Sequence, residues 1–205
     1  ILHTKVGRYL PHVADMFDFS ADRVKRSVDE SLRRLGVDYL DTIQVHDPEF
    51  APSLDIIVRQ TLPTLADLRR QGLVRSIGIT GYPLSTLREL AARSVVELDT
   101  CISYCRLALH DTSLSDSGLA TSLAQDHHVG VLNASALAMG LLTQQGPPAW
   151  HPASANLKAR CRAAAELCAQ RGTDLARLAL HFSLARPEVS TTLVSAADVV
   201  TMESN

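Results

Sequence analysis

Two residues end apolar, strand-like runs where packing alone is a poor account of them: Lys5, in Ile1–Val6 before Gly7, and His46, in Tyr39–His46 before Asp47. Burying an ammonium is costly unless it is paired or used. The plain alternative for Lys5 is a lysine whose stem packs while its head reaches water. The plain alternative for His46 is a hydrogen-bonded core imidazole. Taken together, they suggest a reaction type. A neutral histidine can donate a hydrogen bond to a carbonyl or hydroxyl oxygen, and a nearby ammonium can depress the pKa of a phenolic acid/base. That combination suits hydride transfer, in which the oxygen gains or loses a proton as hydride moves at carbon. Metal ligation fits less well, because no His-x-x-x-His or clustered carboxylate/histidine spacing occurs at the strand ends. The G-x-S-x-G turn of a serine hydrolase is also missing.

These groups need elements to position them, and the chain alternates between two periods. Strand-like runs at Ile1–Val6, Tyr39–His46, Val74–Thr80, Leu98–Cys105, Val129–Ser135 and Ser190–Val194 are separated by helical patterns. Ser20 and Gly36 bracket a helix with Val24, Val28, Leu32 and Leu35 on one face. Leu54–Gln71 reads as a helix that Pro63 should kink or break. Pro83 opens another helix, and Leu114–His127 is a weaker one. Two more follow at about 156–170 and 175–184, with Thr173 or Asp174 as the second cap. Ala138–Ala153, rich in Gly and Pro, is too long for a routine connection.

Strict strand–helix alternation predicts a parallel α/β sheet. An open doubly wound sheet should carry a Gly-rich phosphate turn, and none is present. A (β/α)8 TIM-type barrel is the better expectation, and such barrels need eight strands and about 250 residues. This 205-residue chain offers six, so the reading is one incomplete barrel domain over 1–205 whose first two strand–helix units are missing. In such a barrel, active groups lie at the C-terminal strand ends. Here those ends hold Lys5, His46 with Asp47, Thr80 with Gly81, Ser103 with Tyr104, the Asn133–Ser135 stretch, and Ser195.

Composition narrows the partners. Lys+Arg number 20 against Asp+Glu 22, which gives no global pull towards nucleic acid or an anionic membrane. Apolar runs stop short of the roughly 20 residues a spanning helix needs, and no secretory leader pattern opens the chain. Cys101, Cys105, Cys161 and Cys168 lack C-x-x-C spacing and read as free thiols of a reducing, cytoplasmic setting.

Longer stretches then point to a family. Thr4-Lys5-Val6-Gly7-Arg8-Tyr9, Asp38-Tyr39-Leu40-Asp41, His46-Asp47 and Ile77-Gly78-Ile79-Thr80-Gly81 occur in order. Ser103-Tyr104-Cys105, Leu137-Ala138-Met139-Gly140-Leu141-Leu142-Thr143 and Trp150-His151-Pro152-Ala153-Ser154 follow. In order and spacing the whole chain resembles the aldo-keto reductase superfamily, and within it the L-galactose dehydrogenase group. The resemblance implies a nicotinamide-dependent oxidoreductase acting on an aldose or other carbonyl/alcohol substrate, most closely aldose C1 to lactone. It further implies Lys5 and His46 as two members of a catalytic Asp-Tyr-Lys-His tetrad, with the Asp and Tyr in the missing units, so that this fragment by itself is inactive.

The same resemblance places Thr80, Gly81, Ser103 and Tyr104 at the nicotinamide, Ser135, Leu137 and Met139 along the pyrophosphate, and Ser195 and Asn205 at the adenosine half. Only Asn205 keeps the family pattern in that last region. No Lys or Arg follows Arg186, which favours NAD over NADP, with NADP still possible. Asp47 and Trp150 are the substrate-side candidates, Trp150 alternatively being a packing anchor for its loop. The expected partner is a small sugar or carbonyl compound, with neither nucleic acid nor membrane, and the expected assembly is a monomer or weak homodimer. The rival reading is a non-catalytic relative that binds cofactor as an accessory or regulatory protein.

Overall fold

In the computed structural model, which describes residues 1–12, 15–196 and 198–204, the expected alternation is realised. In chain order the elements are β1 (His3–Val6), α1 (Ala21–Leu35), β2 (Leu40–His46), α2 (Leu54–Ile56), α3 (Leu62–Arg70), β3 (Val74–Gly81), α4 (Leu84–Arg93), β4 (Thr100–Tyr104), α5 (Ser113–Asp116), α6 (Leu119–Gln125), β5 (Gly130–Ala134), α7 (Ala155–Gln170), α8 (Leu175–Leu184), β6 (Thr191–Leu193) and α9 (Val199–Ser204).

The caps of α1 are those read from sequence. Ser20 Oγ accepts a hydrogen bond from the Arg23 amide, and Gly36 closes the helix at φ 67° with its own amide on Leu32 O. Asp174, not Thr173, caps α8. The break near Pro63 is present as well. A π-type turn over Ile57–Thr61 separates α2 from α3, whose first turn holds Pro63, because proline has no N–H to continue the helical ladder. Leu114–His127 is a correction: it divides into α5 and α6 at Ser117–Gly118, where Gly118 adopts φ 68°.

All strand pairs are parallel, and the sheet order is β1-β2-β3-β4-β5-β6. A doubly wound sheet reverses its order at a switch point; this one never does. The two faces differ in kind. Val6, Val45, Ile79, Cys101 and Val131 are registered neighbours, and all are buried in one cluster with side chains of α1, α3, α4 and α6. The opposite parity carries Lys5, Gln44, Gly78, Thr100 and Gly130. Helices thus cover one face and polar or small residues line the other, the arrangement of a barrel wall seen from inside. Asp99 ties the N-terminal end of this wall together: its carboxylate accepts from the Ile77 amide (2.7 Å) and Arg69 (3.1 Å), while its carbonyl accepts from Gly130 N.

A smaller cluster packs Ala138, Leu141 and Leu142 against Cys161, Ala165, Cys168, Leu175 and Ala179, so α7 and α8 support the long loop. The four cysteines are free and buried. Among the described residues, no helix is long and apolar enough to cross a membrane.

Candidate active site

Register brings the first two candidates together. Lys5 pairs with Gln44, and His46 lies two residues further along β2 on the same inward face, so Lys5 and His46 are diagonal neighbours at the strand ends. Lys5 is exposed in this chain. His46 is half-buried. Burial depresses its pKa, Asp47 pulls it up, and the positive charges of Lys5 and Arg8 push it down further. Its Nε2 lies 3.5 Å from Asp47 Oδ2, and the same oxygen accepts from Arg8 Nη1 at 3.2 Å. Asp47 holds a left-handed backbone (φ 51°, ψ 53°), which turns the chain directly after the histidine.

Thr80 pairs with His46 across β2–β3 and is buried. Gly81 has its open side occupied by Glu49: a Cβ there would sit 2.7 Å from Glu49 Oε2. Glu49 Oε1 accepts the Tyr82 amide at 3.1 Å, and Oε2 is enclosed without a hydrogen-bond partner. Burial raises the Glu49 pKa.

A cleft of about 460 Å³ opens where β4, β5 and β6 end against the long loop, within the range of small-ligand sites. Five of the sequence candidates line it: Tyr104, Ser135, Leu137, Met139 and Ser195. Small neighbours, Ala134, Ala136 and Gly140, leave the room. Ser135, Ala138 and Met139 have φ of 63°, 49° and 53°, so several non-glycine residues of one short loop are left-handed; the Ala138, Met139 and Gly140 amides donate within the loop, to Ser135 O, Ser135 Oγ and Leu137 O. No Lys or Arg is among the described residues that line this cleft.

Ser103 does not join this group; it is fully buried on the other face of β4 from Tyr104, with its Oγ unpartnered. Asn205 lies outside the described residues. Trp150 is mostly exposed and stacks on His151 with ring centroids 6.3 Å apart.

Sequence reasoning missed Arg8, Glu49 and His151. His151 is buried: its Nε2 donates to Ala138 O at 3.0 Å, and its Nδ1 accepts the Ala153 amide at 3.1 Å. On α1, Arg23 lies 3.6 Å over the Tyr9 ring and pairs with Glu30, while the Arg33–Asp29 pair is exposed. Arg8 and His151 were signalled only by their membership of the longer motifs, and Glu49 by nothing in the sequence.

His3, His46 and His110 all have pKa values lowered, chiefly by burial. The unfolded chain then binds more protons than the folded one as pH falls through about 6.5, so their shared contribution is present above that pH and lost below it. Glu49, with a raised pKa, acts in the opposite sense nearer its ordinary carboxylate range. Thermal unfolding followed by circular dichroism should show Tm falling as pH drops below about 6.5. A flat profile through that window would contradict the burial of these imidazoles.

The sequence model of the Aldo/keto reductase family matches residues 1–205. The chain belongs to that family. L-Galactose dehydrogenase of Arabidopsis thaliana is 45% identical over 206 residues, covering 100% of this chain and 62% of that protein. D-Arabinose 1-dehydrogenase of Saccharomyces cerevisiae is 35% identical over 188 residues, covering 88% of this chain and 54% of that protein. Among solved structures, an aldo-keto reductase from Bacillus halodurans in its holo form superposes with a TM-score of 0.75 at 25% identity, covering 100% of this chain and 65% of that one. This aldo-keto reductase chain thus spans less than two thirds of the length of each of these relatives.

Proposed function

We propose that this chain serves a nicotinamide-dependent oxidoreductase that oxidises an aldose at C1, with L-galactose to its lactone as the nearest chemistry and NAD as the cofactor. The observation that carries the reading is the pairing of Lys5 and His46 as diagonal neighbours at the inward strand ends of the same sheet whose β4–β6 ends open on a cleft lined by five residues assigned to cofactor. The 45% and 35% identity to two aldose-type dehydrogenases supports the substrate class.

When bound, the cofactor accepts or delivers hydride at its ring. The loop of Ser135, Leu137 and Met139 would lie along its phosphates, Thr80 and Gly81 at its carboxamide end, and Ser195 with Asn205 at its adenosine half. His46, kept neutral by burial and by Lys5, donates from its ring to the substrate oxygen. The Lys5 ammonium lowers the pKa of the phenol that exchanges the proton with that oxygen. Asp47 and Trp150 stand on the substrate side.

We assign that phenol to none of the four tyrosines of this chain. Tyr9 hydroxyl accepts the Gly7 amide, and its pKa is raised by burial. The rings of Tyr39 and Tyr82 lie under Arg75 and Arg106, and Tyr104 lines the cleft. The absence of Lys and Arg after Arg186 supports NAD over NADP. Four free, buried thiols support a cytoplasmic address, and we assign a monomer or weak homodimer taking a small sugar or carbonyl substrate.

Absorbance of reduced cofactor tests this. The 205-residue chain should bind NAD yet form reduced cofactor from L-galactose or D-arabinose only near background, whereas the intact protein should turn over steadily. An intact protein that binds NAD and oxidises no aldose overturns the substrate class. Steady turnover by the 205-residue chain overturns the assignment of the phenol.

A further inference from the structure

One oxygen is shared by two donors of opposite consequence. Asp47 Oδ2 lies 3.2 Å from Arg8 Nη1 and 3.5 Å from His46 Nε2. The shorter contact has hydrogen-bond geometry and the longer one is an approach without a bond. If the carboxylate moved onto Nε2, it would take the ring N–H that a substrate oxygen needs and would favour the imidazolium. We propose that Arg8 is a positioning residue: it draws the Asp47 carboxylate away from His46, leaving Nε2 free to donate to a substrate oxygen. The proposal rests on the functional reading above and assigns a role within the same site.

The local backbone makes such control necessary. Asp47 directly follows His46, and its left-handed conformation carries the carboxylate back beside the ring. Arg8 follows Gly7 at the end of β1, one strand over, so its guanidinium reaches across the mouth of β1–β2. A Cβ at position 7 would meet the Phe19 ring at 2.4 Å and His46 O at 3.2 Å, so the glycine lets this turn lie against β2. Arg8 also lies over the Phe17 ring at 5.9 Å, and Phe17 stacks on Phe50 at 4.5 Å.

The charged groups acting on His46 are Asp47 from its own segment and Lys5 and Arg8 from β1 and the turn after it. Thr80, its neighbour on β3, is uncharged, and Glu49 is held by the Tyr82 amide. Arg8 therefore has two routes to His46: directly through its charge, and indirectly by occupying Asp47. Only the indirect route depends on Asp47, and a double-mutant cycle separates them.

Proton–nitrogen correlation NMR of histidine-labelled protein can follow the His46 ring through its titration in wild type, Arg8→Met, Asp47→Asn and the double variant. Arg8→Met should raise the His46 midpoint, and Asp47→Asn should lower it. In the Asp47→Asn background the Arg8 change should produce a clearly smaller rise. Arg8→Lys, which keeps the charge and the reach, should stay nearer wild type than Arg8→Met and serves if the Met variant folds poorly. An equal rise in both backgrounds, or none in either, overturns the proposal. This readout needs no turnover, so a protein that oxidises no aldose would sink the functional reading and leave the titration result standing.

Discussion

Gly78→Ala should lower the stability of this domain by about 3 kcal/mol or more, because the added methyl has nowhere to go. A Cβ at position 78 would lie 2.3 Å from Thr100 Oγ1, 2.5 Å from Thr100 O and 2.9 Å from Gln44 Nε2. The threonine hydroxyl and the glutamine amide could rotate away. The carbonyl oxygen belongs to β4, so β3 and β4 must part for the substitution to fit. Rotation also breaks the Gln44 Nε2 to Thr100 Oγ1 hydrogen bond (3.0 Å) in a layer where Gln44 Oε1 is already enclosed without a partner. A lost hydrogen bond there adds about 1 kcal/mol. For a chain of this size, each kcal/mol moves Tm by roughly 2–4 °C, so a fall of about 10 °C is expected in calorimetry. Gly130→Ala is the control on the same layer: its Cβ would meet nothing nearer than Asp99 O at 3.4 Å, and it should cost less than about 1 kcal/mol. Equal effects from the two alanines would contradict the inward crowding at Gly78.

That layer shows what a sequence can carry. Strand–helix alternation follows from hydrophobic period, a local property, and it fixed six parallel strands in order. Caps are local too, hence the agreement at Ser20 and Gly36. The division of Leu114–His127 at Gly118 was less legible, since a single glycine inside a helical pattern is often tolerated. Lys5 and His46 could be nominated because strand ends are readable and register then places them side by side. Arg8 and Glu49 could not. Their roles depend on how a turn after β1 and a short helical turn after β2 fold back over neighbouring strands, contacts 39 and 33 residues apart in sequence. Ser103 and Tyr104, nominated together, were separated by strand alternation, which sends adjacent side chains to opposite faces.

The second large effect is expected at His151, whose replacement by Phe should loosen the loop that walls the cleft. The ring bridges two ends of that loop. Nε2 donates to Ala138 O and Nδ1 accepts from Ala153 N, which assigns the neutral tautomer with its hydrogen on Nε2. Ala138 and Met139 are left-handed without being glycine, a conformation that persists only when neighbouring contacts enforce it. Further ties are the Ser135 hydroxyl, which accepts the Met139 amide, and Lys158, which donates to the His151 carbonyl at 2.7 Å. Phenylalanine fills the space but removes one of the two hydrogen bonds to Ala138 O, which keeps the Leu141 amide, at about 1 kcal/mol, and leaves the part-buried Ala153 amide without its partner, at about 1–3 kcal/mol. The expected loss is therefore about 2–4 kcal/mol, with increased hydrogen exchange centred on 138–143. Gln should restore part of the Nε2 bond, and Asn part of the Nδ1 bond, so both should fall between wild type and Phe. The decisive measurement is nucleotide affinity beside Tm. If the loop's shape makes the cofactor wall, His151→Phe weakens NAD and adenosine diphosphoribose together, since both lie along it. A variant that melts earlier yet binds both as wild type does would confine His151 to stability, and the left-handed run at Ser135–Met139 would then owe its shape to the serine hydroxyl and α7 alone.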